Sequence, residues 1–131
     1  MSGQHNCYCG NPEPYATCCG AIHKNHSKAV TAEQLMRSRY SAFVLANGDY
    51  LMDSHHPSTR PIKEKKGIVS WAKSVTWIKL EVLETTNGKA NDTTGTVTFN
   101  AYFLEHGKME VIHEKSSFLK ENNKWYYLDK E

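Results

Sequence analysis

No stretch of this sequence approaches the roughly 18 consecutive apolar residues of a membrane-spanning helix. Its first twenty residues are polar and cysteine-rich where a secretory leader would carry an apolar run. The sequence therefore reads as soluble and cytoplasmic, with no membrane partner. An excess of charge of one sign is missing too. Sixteen Lys and Arg against 14 Asp and Glu leave a net charge of +2, which supplies neither the field of a non-specific nucleic-acid binder nor an acidic tail. There is no phosphate-cradling glycine loop, no nucleophile elbow and no H-E-x-x-H, so no signature compels an enzyme reading. Internal repeats and low-complexity tracts are absent. Arginine is scarce, limited to Arg37, Arg39 and Arg60, and cysteine is absent from everything after residue 19.

What is present is concentrated. The stretch "NCYCGNPEPYATCCG", residues 6–20, holds all four cysteines in a C-x-C-x8-C-C arrangement. The intervening loop carries Gly10, Pro12 and Pro14, so it can turn back and bring the two pairs together. Zinc takes four ligands in a tetrahedron, and in a reducing compartment clustered thiols point to metal before disulfides. A bridge inside C-x-C or between adjacent cysteines would be strained, which leaves two pair-to-pair connectivities and, with them, a thiol redox sensor as an alternative. His23 and His26 follow closely and read as loop histidines, with His23 the alternative to Cys19 as fourth ligand. Four protein ligands close the coordination sphere, so Cys7, Cys9, Cys18 and Cys19 would hold a structural zinc ion. The surrounding segment has too few apolar side chains to fold without it. "CYCGNPEPYATCCG" resembles the SEC-C motif, the zinc-binding module also found at the C-terminus of the SecA translocase ATPase. The four cysteines fall on its ligand positions and Tyr15 on its aromatic position.

Beyond residue 28 the chain divides by period. Thr31 opens a helix through "TAEQLMRSRYSAFVLANG", with Gln34 placed for a capping box, one buried face, and Asn47-Gly48 as the stop. Shorter helices are expected at "GDYLMDSHH" and at "PIKEKKGIVSWAKS". From Val75 the period becomes two, in "TWIKLEVLET", "GTVTFNAYFLE", "EVIHEKSSFLKE" and "KWYYLD", with turns at Asn87-Gly88, His106-Gly107 and Asn122-Asn123. Helices followed by antiparallel strands give an α+β fold, a curved sheet over the first long helix. This order is similar to the nuclear transport factor 2 superfamily, a cone with a central pocket. The phrases "LMRSRYSAFVLANGDYL", "HHPSTRP", "FNAYF" and "IHEKSSFLKENNKWYYLD", with the cysteine segment, resemble the YchJ family of uncharacterised bacterial proteins. The expected organisation is a SEC-C zinc-binding segment at 1–27 and a nuclear transport factor 2-like domain at 28–131.

Polar residues in apolar company mark the second candidate site. On the strand containing Ile112 and Phe118, Glu114 and Ser116 share their face. If that face points inward, Glu114 needs a cation, and a bidentate pair with Arg37, Arg39 or Arg60 is the expectation. Trp125 and Tyr127 fall on one face of the last strand and read as core or pocket lid. His55 and His56, in the "DSHHPSTRP" connection, would lie near the pocket mouth. The sequence is thus read as a zinc-stabilised adaptor that docks a protein partner through its cysteine segment. Its cone would carry a pocket for an unidentified small molecule or support a homodimer. The alternative is a small enzyme of isomerase or dehydratase type, using His55 or His56 with Glu114 as acid and base.

Overall fold

The computed structural model describes residues 6–131, so the first five residues of the expected cysteine segment lie outside the described residues. A single 3-10 turn at Tyr15–Thr17 leads into α1 (Cys19–Lys24), and a second at His26–Lys28 leads to α2 (Ala32–Val44). Next come α3 (Gly48–Asp53), a third 3-10 turn (Ile62–Glu64) and α4 (Lys65–Ser74). Four strands close the chain: β1 (Thr76–Asn87), β2 (Thr94–Glu105), β3 (Lys108–Glu121) and β4 (Lys124–Lys130). They pair antiparallel in sequence order as one meander. The α+β architecture expected from the change of period is the one observed.

Local chemistry explains the boundaries. Thr31 caps α2, its Oγ1 accepting from the Gln34 amide at 3.1 Å, while Gln34 reaches back to the Val30 amide at 2.8 Å. The reciprocal arm thus lands one residue beyond the ordinary capping box. The stop differs from expectation. Helix α2 ends at Val44, Ala46 takes the left-handed conformation (φ 54°), and Asn47 caps α3 by accepting from the Tyr50 amide at 3.1 Å. Both two-residue hairpins, His106-Gly107 and Asn122-Asn123, hold their central residues at positive φ, matching the twist of the flanking strands. Between β1 and β2 the connection is longer, spanning residues 88–93. There a Cβ on Gly95 would lie 2.5 Å from Gly88 Cα, so neither glycine tolerates a side chain. That close approach lets the Gly88 carbonyl accept the Ala32 amide at 2.9 Å, docking the start of α2 on the sheet edge.

Register irregularities at Trp77/Lys79 and Val82/Glu84 bend β1. The concave face buries Leu80, Val97, Phe99, Ala101, Phe118 and Trp125 against Leu35, Met36, Tyr40 and Leu51 of the helices. On β3 the inward face is that of Ile112, Glu114, Ser116 and Phe118. Helix α2 is not amphipathic in the expected one-sided way. Ser38, Arg39 and Ser41 are buried along with its apolar residues, because the sheet covers one side and the cysteine segment the other. The His55 connection pairs alongside β4, with the His56 amide donating to the Tyr127 carbonyl and the Tyr127 amide to the Ser54 carbonyl.

Candidate metal centre and adjoining cavity

The backbone of the cysteine segment folds on itself before any side chain contributes. The Cys7 amide donates to the Glu13 carbonyl at 2.8 Å and Gly10 donates to the Cys7 carbonyl at 3.0 Å, with Gly10 at φ 97°. The Tyr15–Thr17 turn then delivers Cys18, and Cys19 begins α1. Gly20 is required here, because a Cβ would fall 2.7 Å from the Tyr15 carbonyl oxygen and 2.8 Å from its ring. The result brings the Sγ atoms of Cys7, Cys9, Cys18 and Cys19 within 4.8 Å of one another. Cys9 and Cys18 are 3.7 Å apart, close to the roughly 3.8 Å edge of a tetrahedron with ~2.3 Å zinc–sulfur arms. Cys7, Cys9 and Cys19 are buried and Cys18 is half-buried.

Electrostatics favours a cation in their midst. Four sulfurs this close cannot all carry charge unaided. The Cys19 thiol, donating to Cys9, holds Cys9 down to about 5 against its burial. Burial pushes Cys18 up to about 11, and the Cys9 bond with burial pushes Cys19 higher still. A divalent ion bound here would replace those protons and supply the missing positive charge. Arg37 adds a fixed cation nearby, its Nη1 donating to the Cys9 carbonyl at 2.7 Å and its Nε to Glu33 at 2.9 Å. The donor set fits a soft or borderline metal, which four sulfur ligands would hold in a closed site that shapes the chain and leaves no position for water.

His23 has another task. Its Nε2 lies 2.7 Å from the Ser38 carbonyl, which can only accept, so Nε2 carries the proton and Nδ1 accepts from the Tyr15 hydroxyl at 2.7 Å. Both nitrogens being engaged, His23 links the segment to α2 instead of completing the sulfur cluster. His26 likewise donates to the Trp125 carbonyl at 2.6 Å. A further sulfur contact, Cys7 to the Ser41 hydroxyl at 3.8 Å, ties the cluster to the same helix.

The second site is a cavity of about 250 Å³ between α2, α3, α4 and the concave sheet. The expected arginine–Glu114 pair is not formed among the described residues. Arg39, only 6% exposed, donates from Nη1 to the Leu51 carbonyl (2.9 Å) and the Ser54 hydroxyl (2.7 Å), and its guanidinium carbon sits 4.6 Å from the centre of the Tyr127 ring. The end of α3 thus supplies its partial negative charge, and burial lowers its pKa to about 10. Glu114 meets hydroxyls instead, on one oxygen, its Oε2 accepting from Ser116 and, at 3.1 Å, from Tyr127. Arg60 donates to the His55 carbonyl at 3.0 Å, and Arg37 belongs to the sulfur cluster. Each arginine has a nearer carbonyl oxygen, which is why the carboxylate goes without one.

Of the two histidines, His55 lines the cavity with its Nε2 3.1 Å from the Thr59 hydroxyl. Burial and the neighbouring Arg39 and Arg60 push it down to about 4, so it is neutral at physiological pH. His56 lies outside, held by Ser58 and by Glu121 at 3.0 Å. Trp125 is fully buried core and Tyr127 lines the cavity. Sequence reasoning missed Ser38, Ser41, Ser54 and Tyr50, all buried, with Ser38 and Tyr50 hydroxyls 2.5 Å apart. For Ser38 and Ser41 the only signal was their i, i+3 spacing in a helix, which equally describes a solvated face.

Comparison with known proteins agrees with this geometry. Residues 31–130 match the family model described as the YchJ middle domain, nuclear transport factor 2-like. A UPF0225 protein of Vibrio vulnificus is 45% identical over 124 residues, covering 95% of this chain and 73% of that protein. One from Vibrio cholerae is 42% identical over 126 residues, covering 96% and 82%. Among solved structures, a SEC-C motif containing protein from Rhodopseudomonas palustris superimposes with a TM-score of 0.86 at 32% identity, covering 97% of this chain and 98% of that one. Another, from Psychrobacter arcticus, gives 0.81 at 33% identity, covering 95% and 81%. A four-sulfur cluster seated on an α+β cone, matched along nearly its whole length by these relatives, makes the chain a member of the YchJ family.

Proposed function

We propose that Cys7, Cys9, Cys18 and Cys19 hold one structural zinc ion, and that the segment so stapled docks a protein partner in the cytoplasm. The observation that carries the metal is the mutual approach of four sulfurs within 4.8 Å. Four thiolates select zinc over harder ions. Docking is supported by what the staple displays. Tyr8, between two cysteines, is 47% exposed, an aromatic of the kind enriched at interfaces, on a surface a metal would hold rigid.

Metal content of reduced, untagged protein tests the first part. Near one zinc per chain, lost in Cys7→Ser and Cys19→Ser, supports it. Absence of metal together with a Cys9–Cys18 bridge would replace it with the thiol redox reading. For docking, Tyr8→Ser is cleaner than deletion, because the segment covers buried Ser38 and Ser41. A crosslinked partner that persists in Tyr8→Ser at wild-type yield would remove the segment from the interface.

A further inference from the structure

Arg39 and Glu114 are opposite charges that line one largely apolar chamber without forming an ion pair among the described residues. Arg39 is anchored through Nη1 alone, so its Nε and Nη2 have no partner among the described residues. On Glu114 both hydroxyl bonds fall on Oε2, leaving Oε1 likewise unpartnered. Tyr127 organises the two around one ring, its face under the guanidinium and its hydroxyl on the carboxylate. Spare donors and a spare acceptor therefore converge on the same end of the cavity. The other end is apolar, walled by Trp71 and Trp77, whose rings meet edge to face at 5.4 Å, and by Ile68 on α4.

Charge balance selects the occupant. The cation and the anion cancel, so a neutral guest leaves the cavity electroneutral. A carboxylate or an ammonium would add one uncompensated charge in a medium of low dielectric. The guest must also present an acceptor to Arg39 and a donor to Glu114, and offer a flat apolar body to the indole walls. We propose that the cavity binds a small, neutral, planar aromatic amide or lactam, its carbonyl received by Arg39, its N–H by Glu114 Oε1 and its ring by Trp71 and Trp77. This site stands apart from the sulfur cluster and does not depend on the metal.

The test uses the full, metal-loaded chain and matched probes: benzamide and indole-3-acetamide against benzoate, indole-3-acetate and benzylamine, with 2-quinolone as the lactam. Binding is read from amide chemical shifts and from Trp fluorescence. The amides or the lactam are expected to bind about tenfold tighter than their charged counterparts, with shifts centred on Ala101, Ile112 and Tyr127. Ile68→Trp, which fills the apolar end, abolishes binding while zinc content stays unchanged. E114Q, which keeps an acceptor for the two hydroxyls but removes the negative charge, reverses the order so that the carboxylates bind better than the amides. The proposal is overturned by equal or tighter binding of benzoate or benzylamine to the wild type, by shifts that map outside the cavity, or by no binding from any probe. An order of preference unchanged in E114Q overturns it as well.

Discussion

The sulfur cluster and the cavity are both polar groups buried in one small molecule, yet they are assembled in opposite ways. All four sulfurs come from residues 7–19, and their approach is made by one loop, one turn and the start of α1. The cavity draws Arg39 from α2, His55 from the connection after α3, Ser116 and Glu114 from β3 and Tyr127 from β4. Locally built, the first site gathers four sulfurs whose charge a bound cation would balance. The second is held by the fold's own apolar burial and needs nothing added. What the contrast teaches is that one helix serves both, since α2 presents Ser38 and Ser41 to the segment and Arg39 to the cavity.

If the two regions are energetically distinct, removing the metal should break one and spare the other. Cys19→Ser, or chelation of the wild type, is expected to cost several kcal/mol of segment stability. Amides of residues 6–28 should then lose hydrogen-exchange protection while the sheet keeps it. Simultaneous loss in the sheet would show that the distinction is false. Trp125→Ala strikes what they share, since that ring is fully buried and donates to the Val30 carbonyl at 3.1 Å, on the connection between the cysteine segment and α2. It should lower stability by about 3–5 kcal/mol in denaturant unfolding, with both regions melting together.

Arg37→Ala sharpens the boundary. It removes the hydrogen bond to the Cys9 carbonyl and a nearby cation, for a loss of about 1 kcal/mol after allowing for partial exposure. Metal should be surrendered to a chelator faster than from wild type, with little change in the cavity's Trp fluorescence. A pH profile probes His55. Its folded pKa, about 4, lies below the ordinary 6.5, so the unfolded chain binds the proton more readily. The stability that its neutrality provides is complete above pH 6.5 and is lost as pH falls toward and through 4. In His55→Asn the acid slope of unfolding free energy should decrease by up to one proton across that window. His23 and His26, also lowered by burial, keep the remaining slope from vanishing.

The difference in legibility between the two sites has a physical origin. Cysteine spacing is short-range information, so C-x-C-x8-C-C with Gly10 and two prolines in the loop already implies a meeting of four sulfurs. The alternation in residues 76–129 and the turn residues Gly107 and Asn122-Asn123 were legible for the same reason, because pleat and turn are set by near neighbours. The inward face of β3 could be narrowed to a pair of alternatives. Its partner for Glu114 could not, since hydroxyls on Ser116 and Tyr127 compete with three arginines whose surroundings lie far away in the chain.

By itself, then, the sequence determined the α+β order of elements, the antiparallel meander and the gathering of four cysteines in one short segment, all consequences of local pattern and spacing. Only the tertiary structure decided that α2 is buried on both sides, that His23 spends both nitrogens on Tyr15 and Ser38, and that Arg39 and Glu114 face one cavity unpaired. Those outcomes depend on which polar atoms come within about 3 Å of each other after the sheet closes over the helices. That is a property of distant residues brought together, and no single stretch of the chain contains it.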